Sequence, residues 1–171
     1  MKGSYILLVE LATEKNVFIG KLGYLFFPKA FYAYVGSAIN GLEARLARHL
    51  RKEKRLHWHI DYLLKEAEIA DIILCFSEPF AFCHSEGLAE ALSKAKGQRP
   101  KNLAQGKLRM ECFLAQALAK EFPSIPGFGS SDCKCQSHLY FGSPEDRLMA
   151  KVTETINKAN NAYKILPERK S

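Results

Sequence analysis

FYAYVGSAINGLEARLARHL, residues 31–50, changes its period halfway along. Up to Gly36 it is an aromatic and β-branched run of the kind that suits a pleated, half-buried strand. Beyond Gly36, Leu42, Leu46 and Leu50 recur every fourth residue and so lie along one stripe of a helix. The glycine marks the turn out of one element into the next. Upstream, YILLVEL (5–11), NVFIG (16–20) and YLFF (24–27) are also strand-like and are punctuated by Gly20, Gly23 and Pro28, which predicts an antiparallel meander. Downstream, HWHIDYLLKEAE (57–68) reads as a short helix, ADIILCF (70–76) as a strand, SEGLAEALSKAK (85–96) and RMECFLAQALAKEF (109–122) as helices, and HLYFG (138–142) as the last strand. A closing helix over about 144–164 is predicted from Ser143 as N-cap, Pro144 in the first turn and Asp146 after it. Leu148, Val152, Ile156, Ala159 and Tyr163 lie along its face. Together these elements predict one α+β domain over 1–171, a small and mainly antiparallel sheet flanked by helices.

The 171 residues are 47% hydrophobic and 25% charged, enough for one core that buries roughly two thirds of the unfolded chain's surface. The longest apolar runs, YILLV and IILCF, are far short of a membrane span, and MKGSYILLVELATEK has no signal-peptide core or cleavage site, so no membrane partner and a cytoplasmic location are expected. Five cysteines, an odd number, point to reduced thiols. The net charge of +7 is unevenly spread. Between Glu43 and Arg55 stand Arg45, Arg48, Arg51, Lys52, Lys54 and Arg55 against Glu43 and Glu53. Between Ala91 and Met110 stand Lys94, Lys96, Arg99, Lys101, Lys107 and Arg109 with no acid. The second cluster, broken by Gly97, Pro100 and Gly106, reads as a basic insertion over about 85–108 able to track a phosphate backbone. Nucleic acid is the partner class this charge favours.

Gly3-Ser4-Tyr5 opens one strand and Tyr34-Val35-Gly36 closes another, and the next helix carries Arg45 and His49 one turn apart at the border of its leucine stripe. A site that cleaves phosphodiesters needs a guanidinium to fork onto phosphate oxygens, a group that takes a proton from water, and a carboxylate for a divalent metal. Arg45, His49 or a tyrosine, and Glu111 meet that need. Glu111 is expected to flank the stripe made by Met110, Phe113, Leu114, Ala117 and Leu118.

GSY, then YVGSAINGLEARLARH, then a helical Glu resembles the GIY-YIG nuclease superfamily, with Gly3, Tyr5, Tyr34, Gly36, Leu42, Arg45, His49 and Glu111 at its motif positions. GKLG, YVGSA, RLARH, HWHIDYL, MECFLA, GFGSSDC and SHLYF resemble, more closely, a branch of that superfamily found alone in archaea and bacteria and fused to endonuclease III in some archaea. The resemblance implies a GIY-YIG-like fold and a metal-dependent endonuclease acting on DNA, with RNA as the alternative, in repair or processing. It implies one Mg²⁺ or Mn²⁺ held by Glu111, Tyr5 or Tyr34 orienting or deprotonating water, Arg45 stabilising charge on the phosphate, and His49 as a base. The wide spacing of Tyr5 and Tyr34 requires an inserted hairpin at about 16–27. The Asn that often follows the metal Glu is missing near Pro123, and Asp132 is its candidate replacement.

Arg48, Arg51, Lys52, Arg55, Lys94, Lys96, Arg99, Lys101 and Lys107 are expected to contact nucleic acid, and Trp58 to stack on a base or pack in the core. In HWHID, His57, His59 and Asp61 could ligate a metal, but a helix-start cap by Asp61 beside packed imidazoles is the favoured reading. Cys133, Cys135 and His138, with or without Cys112, form a C-x-C-x₂-H pattern that matches structural zinc poorly, so thiols without zinc are expected. GFGSSD lacks the Lys-Ser/Thr of a P-loop and predicts a tight turn whose Ser130, Ser131 or Asp132 can touch a phosphate. Two non-enzymatic alternatives stand beside the nuclease: a nucleic-acid-binding module of the same fold, and a zinc-stabilised interaction domain.

Overall fold

The computed structural model describes residues 3–38, 41–76, 110–143, 145–158 and 162–167. Its strands are β1 (Gly3–Leu11), β2 (Lys15–Phe18), β3 (Tyr24–Phe27), β4 (Ala30–Ala38), β5 (Glu68–Phe76), β6 (Leu139–Gly142) and β7 (Ala162–Pro167). Its helices are α1 (Leu42–Leu50), α2 (His59–Leu63), α3 (Met110–Leu118) and α4 (Glu145–Lys158). The main sheet has the order β6-β4-β1-β5-β7 with every pair antiparallel, so the α+β expectation of a mainly antiparallel sheet flanked by helices holds.

The meander does not. β4 pairs with β1 along the full length of both, Gly3 opposite Ala38 and Leu11 opposite Ala30, while β2 and β3 pair only with each other as a separate ribbon. Length and burial account for this. Tyr5 to Val9 are buried on both faces of the sheet, so β1 needs long neighbours on both sides, and the four-residue β2 and β3 are too short and too exposed to serve.

The two faces of β1 sort its side chains by parity. Tyr5, Leu7, Val9 and Leu11 pack with Tyr32 and Tyr34 beneath α1, α2, the ribbon and Phe128. Ile6 and Leu8 pack with Ala33, Val35 and Ile73 beneath Leu114, Ala115 and Leu118 of α3 and Leu148, Val152 and Ile156 of α4. Each fully buried aliphatic contributes roughly 1.5–3 kcal/mol, which makes this two-sided burial the main source of stability.

Three helix expectations change. In α1, Leu50 is 50% exposed and His49 takes its place on the buried stripe. At 3.6 residues per turn, position 49 returns to within about 20° of Leu42 and position 50 overshoots by about 80°. The 57–68 segment is helical only over His59–Leu63, and β5 begins at Glu68. The closing helix ends at Lys158, so Tyr163 lies not on that helix but in β7, which covers the outer edge of β5, and HLYFG is therefore not the last strand. Pro144 after the expected Ser143 cap, the position of Ala159, the 85–96 helix and the whole 85–108 insertion, with Lys94, Lys96, Arg99, Lys101 and Lys107, lie outside the described residues. Among the described residues, no helix is long and apolar enough to cross a membrane.

Candidate functional site

The site begins where two glycines let strands and side chains meet closely. Tyr5 and Gly36 are register partners across β1 and β4, and a Cβ on Gly36 would fall 2.4 Å from Tyr5 Cζ and 2.5 Å from its hydroxyl. The Tyr5 ring therefore crosses over Gly36, and any side chain there would expel it. Gly129, at φ +71°, closes the 127–138 loop over the other tyrosine: a Cβ would meet Tyr34 Cε2 at 3.0 Å and His138 Cβ at 3.2 Å.

β6 pairs with β4 only as far as Tyr34, opposite Leu139, and among the described residues no strand pairs with Val35 to Ala38 on that side. A cleft of about 470 Å³ opens there, lined by Tyr5, Tyr34, Gly36 and Ser37 of the sheet, Arg45 of α1, His57, Trp58 and His59, Glu111 of α3, and Gly129, Ser131, Asp132 and His138. Tyr5 and Glu111 reach it from opposite faces of the sheet. Ser4, which the alternation of β1 turns to the α3 side, makes a long 3.4 Å hydrogen bond to Glu111 Oε2. Glu111 is buried, and it stands within the buried stripe of α3 with Leu114, Ala115 and Leu118, not on its flank. Phe113, about 200° around the helix from Glu111, is the exposed one.

Behind Tyr5 lies a buried polar network. The Tyr5 hydroxyl is 2.7 Å from His49 Nε2, and His49 Nδ1 faces Asp61 Oδ1 at 4.0 Å. That separation is too long for a hydrogen bond, but the carboxylate's negative charge favours the tautomer with its proton on Nδ1, in which Nε2 accepts the Tyr5 hydroxyl proton. Burial lowers the pKa of His49 to about 4, with Lys54, Arg45 and Arg48 adding to the shift and Asp61 opposing it, so the ring is neutral at pH 7. Burial also raises Tyr5 and Tyr34 well above the usual phenol range, and both stay protonated. Asp61, fully buried, accepts the backbone N–H groups of His57 and Trp58, each at 3.0 Å, and Arg48 at 2.7 Å. Burial pushes its pKa up, but those three donors outweigh burial and hold it below the usual carboxylate value.

Asp61 thus caps α2 as expected, and it also pins Arg48 and stands beside Lys54 at 3.9 Å. Arg48, half-buried, donates to Asp61 and to the Arg55 carbonyl, which ties part of its guanidinium to the fold. The Trp58 ring carries both guanidinium groups, Arg45 at 3.8 Å and Arg48 at 4.7 Å from its centroid. His59 Nδ1 accepts the Gly129 N–H at 3.0 Å, and burial keeps its pKa low, whereas His57 is exposed. Arg51, Lys52 and Arg55, which follow α1 in the chain, are exposed.

The expectation of thiols without a metal partner changes as well. Cys112, Cys133, Cys135 and His138 bring one ligand atom each to within 4.8 Å of one another, the one such group of three or more among the described residues, and a metal ion could be held there. His138 Nε2 lies 3.3 Å from Cys133 Sγ. The fourth ligand comes from α3, which spacing within SDCKCQSH cannot reveal. Sequence reasoning also missed Ser4 and Gly129. The signal for Ser4 was its place beside Tyr5 in a strand, which sends it to the other face.

Against protein-family models, the chain matches the model described as Domain of unknown function DUF123 over residues 4–102 and 100–161. No curated protein and no solved structure matches it.

Proposed function

Because the chain belongs to the DUF123 family, whose description assigns no activity, its function is read from the cleft, and we propose that it is a divalent-metal-dependent endonuclease of GIY-YIG type that hydrolyses phosphodiester bonds in DNA, in repair or processing. The observation that carries this reading is the convergence of Tyr5, Tyr34, Arg45 and Glu111, from two strands and two helices, on one cleft. The resemblance to a branch fused to endonuclease III favours DNA over RNA. The chain's net charge of +7 suits a polyanion.

The donors in the cleft suit a hard ion: Glu111 supplies a buried carboxylate and Asp132 a second one at the exposed rim, and Mg²⁺ or Mn²⁺ is commonly held by one or two carboxylates with water in the other positions. When bound, such an ion supplies Lewis-acid stabilisation of phosphoryl oxygens. The chain's own groups do the rest. Arg45, its guanidinium held over the Trp58 ring, forks onto the phosphate and stabilises charge that develops there. The Tyr5 hydroxyl, its proton committed to neutral His49, presents its oxygen to orient the attacking water. Negative charge from a phosphodiester raises the proton affinity of His49, opposing Arg45, Arg48 and Lys54, so substrate itself makes the His49 side better able to take a proton.

The test is cleavage of labelled flap, branched, nicked, damaged and plain duplex DNAs, with RNA alongside, in Mg²⁺ or Mn²⁺. Wild type is expected to cut at least one of them, and Glu111→Ala and Arg45→Ala to cut about 10²–10³-fold more slowly while keeping wild-type circular dichroism. Salt-sensitive binding in all three proteins with no cleavage by any would replace the nuclease by a non-catalytic binding module.

A further inference from the structure

We propose that Cys112, Cys133, Cys135 and His138 bind one structural Zn²⁺, which fastens the first turn of α3 to the loop before β6. The geometry comes first. In a tetrahedral site with Zn–S bonds of about 2.3 Å, neighbouring sulfurs stand roughly 3.8 Å apart. The four ligand atoms here already lie within 4.8 Å of one another, so closure around an ion needs movements of about an ångström or less. Three thiolates and an imidazole are soft and borderline donors, the set that selects zinc over Mg²⁺, Mn²⁺ or Ca²⁺.

The surroundings call for a staple. Residues 129–137, GSSDCKCQS, contain no large apolar side chain, yet the segment buries Ser130 and Ser137 and leads directly into buried His138. Polar bonds tie it down, among them Gly127 N–H to the Gln136 carbonyl at 2.8 Å and His138 N–H to the Phe128 carbonyl at 2.7 Å. A loop with so little core gains most from a cross-link to a neighbouring helix, and Cys112 supplies it. Cys112 and His138 are buried and Cys133 and Cys135 half-buried, and all four positions of a tetrahedron are filled by protein, which makes the site structural.

The zinc site adjoins the cleft through the chain itself. Glu111 precedes Cys112, Ser131 and Asp132 precede Cys133, and His138 lines the cleft while contacting Cys133. The ion therefore sets the distance between the Glu111 side and the Asp132 side, a consequence that rests on the cleft reading above, whereas zinc binding itself does not.

The full chain, purified under reducing conditions without added metal, is expected to carry one equivalent of zinc by elemental analysis. Replacing zinc with Co²⁺ is expected to give thiolate-to-cobalt charge transfer in the near ultraviolet and the d–d bands of tetrahedral cobalt in the visible. Cys135→Ser, a change in the loop, is expected to weaken zinc binding by more than the roughly 10–100-fold that follows loss of an outer-sphere partner. Glu111→Gln is expected to keep the zinc and the cobalt spectrum even where it abolishes cleavage, so the two readings fail separately. A purified wild-type chain that holds no zinc and gives no thiolate-to-cobalt charge transfer on reconstitution overturns the proposal, as does a Cys135→Ser protein that binds zinc as tightly as wild type.

Discussion

The two walls of the cleft keep polar groups out of water by different means. On the α1–α2 wall, His49 and Asp61 are buried with Arg48 and Lys54 close by, and the charges answer one another: Arg48 and two backbone N–H groups bind Asp61, and Trp58 carries two guanidinium groups. On the α3–loop wall, Glu111 and His138 are buried beside a knot of thiols, and the loop contributes little apolar surface. The first wall is assembled from residues 45–61, which are close in the chain; the second joins Cys112 to residues 133–138. Contributors near in sequence meet at small loop-closure entropy and can be held by hydrogen bonds and charge, while remote ones gain more from a strong cross-link.

The largest expected effect of breaking this comparison is at Asp61. Asp61→Ala removes the buried acceptor for Arg48 and for the His57 and Trp58 N–H groups, and leaves half-buried Arg48, whose Nε already lacks a hydrogen-bond partner, without its counter-ion. Removing one member of such a pair is expected to cost about 3–5 kcal/mol, read as a lower urea midpoint. The zinc proposed for the thiol cluster should be retained, since the hydrogen bonds of Asp61 run to Arg48, His57 and Trp58 and not to its ligands. A loss under about 1 kcal/mol would mean that this wall is held by packing and not by charge.

The same contrast decides what the sequence could reveal. The strand-to-helix change was legible from the change of period, but Gly36 does not mark it: β4 runs through Gly36 to Ala38 and α1 starts at Leu42 after Gly41, since the glycine serves the close approach of Tyr5 and not a turn. The two tyrosines, Arg45 and Glu111 were legible as candidates because each stands in a local pattern. The geometry then brings all four to one cleft. Asp61 was legible as a cap, since its main-chain partners, His57 and Trp58, are a few residues away. Its hold on Arg48 was not, because nothing local distinguishes Arg48 from the solvent-facing Arg51. Cys112 stands in between: it was legible as an optional fourth partner of C-x-C-x₂-H, but only the packing of α3 brings it to the other three. β7 was missed because VTETINKANNAYKIL keeps an apolar residue every three or four positions past Lys158, and only the open edge of β5 favours extending Ala162–Pro167.

A somewhat smaller effect is expected from pH. The pKa of His49 in the folded protein, about 4 chiefly through burial, is below its value of about 6.5 in the unfolded chain. Above pH 6.5 neither state binds the proton and the contribution to stability is complete. As pH falls from 6.5 towards 4, the unfolded chain takes up a proton that the folded one refuses, and stability drops by up to about 3 kcal/mol before levelling. His59, also lowered by burial, adds in the same direction, whereas Asp61, depressed when folded, loses its contribution only below the ordinary carboxylate range. Urea midpoints measured between pH 7.5 and 4 should show this slope, and His49→Gln should remove most of it. A His49 ring that titrates near 6.5 by NMR would show that the α1–α2 wall is wet.

The smallest expected effect on stability is at Tyr5→Phe. The ring still crosses Gly36 and still fills the core, so only the 2.7 Å hydroxyl bond to His49 is deleted. That should cost about 1 kcal/mol in urea unfolding, because the lost bond is offset in part by no longer burying a hydroxyl. If the Tyr5 hydroxyl orients the attacking water, the same variant should cut DNA about 10²-fold more slowly, a loss far out of proportion to its stability. Equal and small losses in both would place Tyr5 among the packing residues and shift the proton-handling role to Tyr34, which lines the same cleft without contacting His49 in the network described. The split between the two readouts therefore tests whether the α1–α2 wall is only a support for the cleft or part of its chemistry.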